Sequence, residues 1–487
     1  MIVKLDYSSK KNACHISVSD SDVRSRLMHA FSVPNEAKKF VKGPERRFVP
    51  DRIHFITPTG MFNFGLADAI IKWFKSYVLD RTVEYELSDS FKKQFQQDEP
   101  CEILDNLAFP LREYQKDCVQ LALRYRFGTF VLGTGAGKTF TIASIIHNLF
   151  HQKHITRVLI VVPDNGLVTQ FYDELVNVYK VDRRICKFYD KFNTIDKNAE
   201  IIIANRPLLL SRFDQYKEFW INGFDCLIVD EAHSIKRDNK ISKCIKKIIS
   251  KYRFGFTGTL AENEEDKIKN LGLLGPVRYE KTSKELRDAG YLANVIVRKA
   301  NLIYPEPHED LNYREEVEHL YSNEYRNKFL NDLCNKLDKN ILLLVNRLEH
   351  GYNLLKYFNN NINNKNKKIY FIRGEVDTDT RDEIKKLMEK EDNILCIAIT
   401  KIFSTGINIK NLHNIILAAG GKSSVTVVQS IGRGLRLHPD KKELNIFDIC
   451  DKGYKYSTAH ADKRLKIYET EKIKVNESDI LLRTQVS

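Results

Sequence analysis

Leu132-Gly-Thr-Gly-Ala-Gly-Lys-Thr139 decides how this chain is read. It ends an apolar run, Thr129–Leu132, and opens a helical one, Phe140–Phe150. Strand, glycine loop and helix in that order are the context a phosphate-binding P-loop requires. Gly133, Gly135 and Gly137 let backbone amides, with those of Thr134 and Ala136, close around phosphates without a Cβ in the way. Lys138 would supply a point charge to the β- and γ-phosphates and the Thr139 hydroxyl would ligate Mg²⁺. The helix N-terminus adds its partial positive charge. The general pattern starts with a glycine where this chain has Leu132.

Downstream, Asp230-Glu-Ala-His233 directly follows the apolar run Cys226–Val229. A parallel strand delivers the residues at its C-terminal end to the ligand edge of a sheet. Asp230 is then placed to hold Mg²⁺ through water, and Glu231 to orient or deprotonate the attacking water. Acidic pairs are common on surfaces, so the tetrapeptide gains its meaning from the strand before it and from the P-loop upstream. Before the P-loop lies Leu111-Arg-Glu-Tyr-Gln115. The Gln115 amide, with Arg112 beside it, matches the donor and acceptor edge of adenine; an exposed helix start with no ligand is the alternative. ATP and Mg²⁺ are the cofactors expected.

Around these motifs, strand-length apolar runs alternate with helical patterns: Arg157–Val162, Glu200–Ala204 and Arg253–Thr257 join those above. Such alternation marks a parallel α/β sheet. The pattern pauses near Tyr279–Tyr313, where Pro305 and Pro307 punctuate the chain. It resumes with Ile341–Val345, Lys368–Ile372, Ile394–Thr400, Asn414–Ala418 and Leu444–Ile449. The expected fold is α/β, two tandem doubly wound parallel-sheet domains, preceded by a small mixed α/β domain. That domain shows strand-like runs Ile2–Leu5 and Ile53–Thr57 and an amphipathic stretch Phe64–Val78. Gln96–Pro100 reads as a linker and Asn359–Lys368 as a surface loop. The expected domains are 1–98, an accessory domain; 99–290, with the P-loop and Asp230; 291–455; and 456–487, a helical tail.

The 487 residues exceed a single core. No apolar run approaches the ~18 residues of a membrane span, and the N-terminus lacks a signal-peptide core, so a soluble, cytoplasmic protein is expected. Nine cysteines stand singly, with no CxxC pair, and Cys226, Cys396 and Cys450 read as small buried thiols. A net charge of +14 favours a polyanionic partner. Basic residues cluster in Lys38–Arg52 and in Lys240–Arg253. The second cluster has isoleucines at helical spacing, so its lysines also read as a solvated helix face.

In order, these residues resemble the motif series of superfamily 2 helicases. Leu111–Gln115 is similar to the Q motif, Leu132–Thr139 to motif I, Asp230–His233 to motif II of the DEAH type and Thr257-Gly-Thr259 to motif III. Phe403-Ser-Thr-Gly-Ile-Asn408 resembles motif V, and Gln429-Ser-Ile-Gly-Arg-Gly-Leu-Arg436 matches motif VI. The family often carries a non-glycine residue where Leu132 stands. The resemblance implies two RecA-like domains. In that family role Gln429, Arg433 and Arg436 reach the nucleotide from the second domain, and Arg436 is the expected arginine finger, worth roughly 10³–10⁵ in rate. It also implies that His233 belongs to the hydrolytic site and that Thr257 and Thr259 link this site to nucleic acid. Thr400, Thr405 and the backbone near Gly406 would grip phosphates without reading sequence.

More narrowly the chain resembles the UvsW-type helicases of T-even-like bacteriophages. Gly374-Glu-Val-Asp-Thr-Asp-Thr-Arg381, Phe403–Leu412 and Phe64-Gly-Leu-Ala-Asp-Ala-Ile-Ile-Lys-Trp73 carry that likeness. It implies remodelling of forks, Holliday junctions and R-loops in recombination, repair and replication, in the host cytoplasm if the gene is a phage's. The partner would be branched or duplex DNA, with RNA–DNA hybrid a further candidate, bound by a monomer; the accessory domain 1–98 would help engage that DNA, which the basic stretch Lys38–Arg52 would suit. A duplex translocase that separates no strands, an RNA helicase and a non-catalytic binding module are the competing readings.

Overall fold

The apolar runs become strands of two parallel sheets, and the flanking amphipathic segments become the helices that cover them. The computed structural model describes residues 1–77, 83–99, 101–190, 192–235, 239–305, 311–361, 367–373, 378–400, 409, 411–418 and 443–482. The chain divides into two compact units, Met1–Gly133 with Gly137–Thr282, and Ser283–Ser487 with Thr134–Ala136.

The first unit opens with β1 (Ile2–Ser8), β2 (Ala13–Val18), β3 (Ser32–Pro34), β4 (Arg52–His54), β5 (Met61–Asn63) and β6 (Glu84–Leu87). β5, β2, β1 and β6 form a mixed sheet, antiparallel except where β1 runs parallel to β6, and β3 pairs only with β4. In β1 burial alternates strictly, Val3, Leu5 and Tyr7 facing inward, as a half-covered strand requires. Their core takes in Ile70 and Phe74 of the helix Ala67–Tyr77, and also Phe127 of the following parallel sheet.

That sheet contains β7 (Phe127–Leu132), β8 (Val158–Val162), β9 (Ile185–Phe188), β10 (Ile201–Asn205), β11 (Cys226–Val229), β12 (Tyr252–Thr257) and β13 (Val277–Lys281). They run parallel in the order β13-β7-β12-β11-β8-β10-β9. The central strands are buried throughout their length, the signature of a sheet covered on both faces. β7 and β11 are neighbours of β12, so the P-loop and Asp230 leave the same edge, one strand apart.

The second unit repeats the plan with β14 (Asn294–Ile303), β15 (Ile341–Val345), β16 (Lys368–Ile372), β17 (Ile394–Ile399), β18 (Asn414–Leu417), β19 (Glu443–Asp451) and β20 (Lys474–Leu481), all parallel. Two seven-stranded parallel sheets and a mixed N-terminal sheet are the expected architecture.

Three expectations need correction. The segment Tyr279–Tyr313, read as a pause, holds the end of β13 and the whole of β14. Charged residues on edge-proximal strands hid the alternation there: Arg278, Glu280 and Lys281 in β13, Arg298 and Lys299 in β14. The tail 456–487 is a helix, Lys455–Thr470, followed by the strand β20. β20 is a mostly exposed edge, and its pairing with β14 rather than its own composition makes it a strand. The helix before it is anchored by Arg464, whose guanidinium meets Asp448 in full burial, with the Tyr468 hydroxyl donating to the same carboxylate at 3.0 Å.

The third concerns Gln96–Pro100, read as a linker. Asp98 accepts from Arg126 Nε at 2.7 Å and from its Nη2, and its own N–H donates to Arg124 O at 2.9 Å. The segment is stapled to the turn that feeds β7. Asn12 adds a second tie, donating from Nδ2 to Lys246 O and Ile248 O at 3.0 and 3.1 Å. Arg278 and Asp68 form a third, at 2.8 Å.

Candidate active site

β7 delivers Gly133, whose N–H donates to Lys281 O at 2.8 Å, and the helix Lys138–His151 begins immediately after the glycine loop. Gly135 and Gly137 have φ of +85° and +75°, a region in which a side chain is costly. Gly137 has a second reason to lack one: a Cβ there would lie 3.0 Å from Gln115 Nε2. Gln115 is buried, and its Oε1 accepts from Arg112 N–H at 3.0 Å, closing the first turn of the helix Glu113–Tyr125. The same amide therefore lies against the glycine loop. Arg112 Nη1 donates to Tyr114 Oη at 3.1 Å. Thr139 is the second residue of the P-loop helix, one place beyond Lys138.

Across the sheet, Lys138 Nζ lies 3.7 Å from Glu231 Oε1. Glu231 leaves β11 with φ of +48°, a left-handed turn rare for a residue with a Cβ. His233 Nδ1 lies 3.3 Å from Glu231 Oε2 and 2.8 Å from Thr257 Oγ1. The Thr257 hydroxyl donates to Thr259 O at 2.6 Å. With that proton committed, Thr257 Oγ1 is the acceptor for His233, which puts the imidazole proton on Nδ1. Lys138, Glu231, His233, Thr257 and Thr259 thus form one continuous line of polar contacts.

The two acids of this line differ in character. Burial pushes the Asp230 carboxyl well above the usual carboxylate range, the neighbouring Glu231 charge acts in the same sense, and Lys138 and Arg206 pull it back. Burial also opposes the Glu231 charge, but Lys138 and His233 outweigh it and hold that carboxyl below its usual value. Asp230 Oδ1 is buried with no hydrogen-bond partner among the described residues. A buried acid with an unused oxygen and too little neighbouring positive charge fits a divalent cation arriving with nucleotide phosphates. Thr139 and Asp230 are the residues that would hold Mg²⁺, and Lys138 would hold the phosphates.

Arg206 is the participant that sequence reasoning missed. It follows β10, is buried, and donates from Nη2 to Asp230 O at 2.6 Å and Glu231 O at 3.0 Å; its Nη1 donates to Ser234 Oγ. It thereby clamps the backbone of the acidic loop. Its position just past the end of a buried strand was the one available signal.

Arg253, counted in the basic cluster Lys240–Arg253, is buried in the core. Its guanidinium donates to Leu273 O and Ile248 O, each at 2.7 Å. It is therefore not available to a polyanion. In the same cluster Ile241 and Ile245 are buried on the inner side of the helix Lys240–Lys247. Thr400, at the end of β17, donates its hydroxyl to Val345 O at 3.0 Å and so ties two strand ends together. Thr405, Gly406, Gln429, Arg433 and Arg436 lie outside the described residues.

Comparison with known proteins gives the same reading of both halves. Residues 108–262 match the family model for the type III restriction enzyme res subunit, and residues 325–438 match that for the helicase conserved C-terminal domain. The chain is 29% identical over 364 residues to the ATP-dependent DNA helicase uvsW of Enterobacteria phage T4, covering 72% of this chain and 70% of that protein. It is 31% identical over 207 residues to the DNA 3'-5' translocase XPB2 of Sulfurisphaera tokodaii, covering 40% and 43%. A solved fragment assigned to the HsdR subunit of a type I restriction enzyme from Vibrio vulnificus shares the fold, with a TM-score of 0.58 at 21% identity over 82% of this chain and 75% of that one.

Proposed function

We propose that the chain is a superfamily 2 helicase, an ATP-driven motor that unwinds or branch-migrates branched DNA. The observation that carries this reading is the line of contacts from Lys138 to Thr259. Hydrolysis alone needs Lys138, Asp230 and Glu231. Its extension through His233 into the Thr257-Gly-Thr259 loop gives the state of the phosphates a route to a second loop at the same sheet edge, which a motor requires and a simple ATPase does not.

In this reading Asp230 and Thr139 hold Mg²⁺, Glu231 orients the attacking water, and Gln115 with Arg112 reads the adenine. Gln429, Arg433 and Arg436 complete the hydrolytic site, with Arg436 the finger, and Thr400, Thr405 and the backbone at Gly406 lie along the DNA. Residues 1–98 form the accessory domain, 99–290 and 291–455 the two motor domains, and 456–487 the tail. DNA is preferred over RNA because the phage and archaeal relatives are both named for DNA. The archaeal relative is named a translocase, which favours duplex tracking without strand separation as the second reading.

A substrate panel separates these: four-way junction, fork, R-loop, plain duplex and RNA duplex, each with ATP and Mg²⁺. DNA-stimulated turnover with dissolution of the junction is expected. Stimulation without strand separation points to the translocase, and turnover indifferent to nucleic acid overturns the motor.

A further inference from the structure

The P-loop helix Lys138–His151 is gripped near its far end by a segment that leads back to its start. Asn148, roughly 15 Å along that helix from Lys138, is fully buried. Its Oδ1 accepts from Leu104 N–H at 2.8 Å, and its Nδ2 donates to Leu104 O at 3.1 Å and to Ser144 O at 2.9 Å. One side chain thus uses its acceptor and both its amide hydrogens, and it satisfies both main-chain groups of Leu104. His147 Nε2 lies 2.8 Å from Asn106 Oδ1 and adds a second rivet. Asp105 Oδ1 then accepts from Leu111 N–H at 2.7 Å, closing residues 105–111 into a loop. Leu111 leads to Arg112, whose N–H donates to Gln115 Oε1 at 3.0 Å, and Gln115 Nε2 lies 3.0 Å from where a Cβ of Gly137 would stand. Asn148, Leu104, Asp105, Leu111, Arg112 and Gln115 therefore form a ring that runs from the last turn of the P-loop helix back to its N-cap, Gly137.

What the ring fixes is the direction of an amide. Adenine presents a donor at N6 beside the acceptor N7, whereas guanine presents acceptors at both O6 and N7. Gln115 tells them apart only while Oε1 faces N6 and Nε2 faces N7; turned over, the amide offers its donor to O6 and the preference for adenine is lost. The Arg112 N–H opposes that turn. With Nε2 in the place of Oε1, two donors would face each other at a buried side chain. In the observed direction Oε1 still has a second lone pair for N6. The Arg112 N–H is aimed by Leu111, which Asp105 holds directly and Asn148 holds through Leu104.

We propose that Asp105 and Asn148 are positioning residues for the choice of nucleobase, holding the Arg112 N–H that keeps the Gln115 amide turned to accept adenine and refuse guanine. This rests on the adenine role that the reading above gives Gln115, and adds to it the device that sets the selectivity.

The test uses the full chain, with ATP and GTP affinity read by displacement of a fluorescent nucleotide and with kcat and KM measured for each. Asp105 lies outside the core, so Asp105→Ala loosens the loop without opening a cavity. It should lower the ATP-over-GTP preference in kcat/KM about tenfold, the worth of one hydrogen bond. The loss should fall on the KM for ATP, with kcat for ATP held within about twofold. Asp105→Asn keeps an oxygen for the Leu111 N–H and should retain the preference. Asn148→Leu, checked by thermal melting, should shift the preference in the same direction as Asp105→Ala, which carries the test alone if the buried variant does not fold. A wild-type preference for ATP that survives in Asp105→Ala, or a loss equal for the two nucleotides, overturns the positioning role. A wild-type chain that binds and turns over ATP and GTP alike overturns the adenine reading of Gln115, and the proposal with it.

Discussion

His233 Nδ1 stands 2.8 Å from Thr257 Oγ1, and both atoms already serve other partners, Glu231 on one side and Thr259 on the other. In the proposed mechanism a shift of Glu231 on loss of the γ-phosphate would therefore change the hydrogen bond available to Thr257. Thr257→Val keeps the shape and removes the hydroxyl. It should cost DNA unwinding about tenfold, the worth of one buried hydrogen bond, and cost ATP turnover less. Parallel assays of both rates decide it. Equal loss in the two would mean that Thr257 supports the nucleotide site only.

Lys138 Nζ and Glu231 Oε1 lie 3.7 Å apart, and the proposed mechanism gives them different chemistry. Lys138→Ala should lose both phosphate affinity and turnover. Glu231→Gln should retain nucleotide binding and lose turnover by about 10²–10⁴, the range for a general base. Nucleotide affinity by a fluorescent analogue, measured beside phosphate release, separates them. Parallel loss of both properties in Glu231→Gln would assign Glu231 to the metal or to the fold.

Arg206 holds the acidic loop through two main-chain carbonyls, and Glu231 sits in a left-handed turn that costs about 1–3 kcal/mol. Arg206→Gln removes the clamp and leaves buried acceptors short of donors. Stability should fall by about 1–3 kcal/mol, and kcat should fall with little change in the KM for ATP, because the misplaced group acts on water. A rise in KM alone would show that Arg206 meets the nucleotide directly.

His350 is buried in the second unit, stacked on Tyr321 at 4.0 Å, with neither ring nitrogen hydrogen-bonded among the described residues. Burial, and then the Arg326 charge, hold its pKa well below the ordinary histidine value. The unfolded chain therefore binds a proton that the folded chain refuses. Stability is full above about pH 6.5 and declines as pH falls below it, by up to about 1.4 kcal/mol per pH unit. Denaturant melts between pH 7.5 and 5 should show this slope, and His350→Phe should flatten it. An unaltered slope in the variant would place the titration elsewhere.

The motor strands were legible almost to the residue. Cys226–Val229 and Ile341–Val345 carry the expected bounds, because a strand covered on both faces must be apolar without interruption. β9, β13 and β20 were not legible. All three are edge strands, and β13 and β20 pair with a neighbour distant in sequence. The nearness of Lys138 to Asp230 and Glu231 could be expected from sequence because each follows the end of a buried strand. Arg206 and Arg253 could not, since a buried arginine satisfied by carbonyls looks in sequence like any surface cation. The basic stretch Lys38–Arg52 was read as one cluster, and only the structure separates its paired lysines from Lys42, Arg46 and Arg47.

The Asp98–Arg126 clasp has a mechanical meaning. A free tether would let the N-terminal module search a volume, so that any grip it had on a ligand would carry no information about the position of the nucleotide. Asp98 instead fastens the last residues of that module to the turn from which β7 rises to the P-loop, while Asn12 and Asp68 pin it at two further points. The module is thus a rigid jig on the nucleotide-binding fold. The sheet β5-β2-β1-β6 therefore sits at a fixed offset from Lys138, and a displacement of one is a displacement of the other.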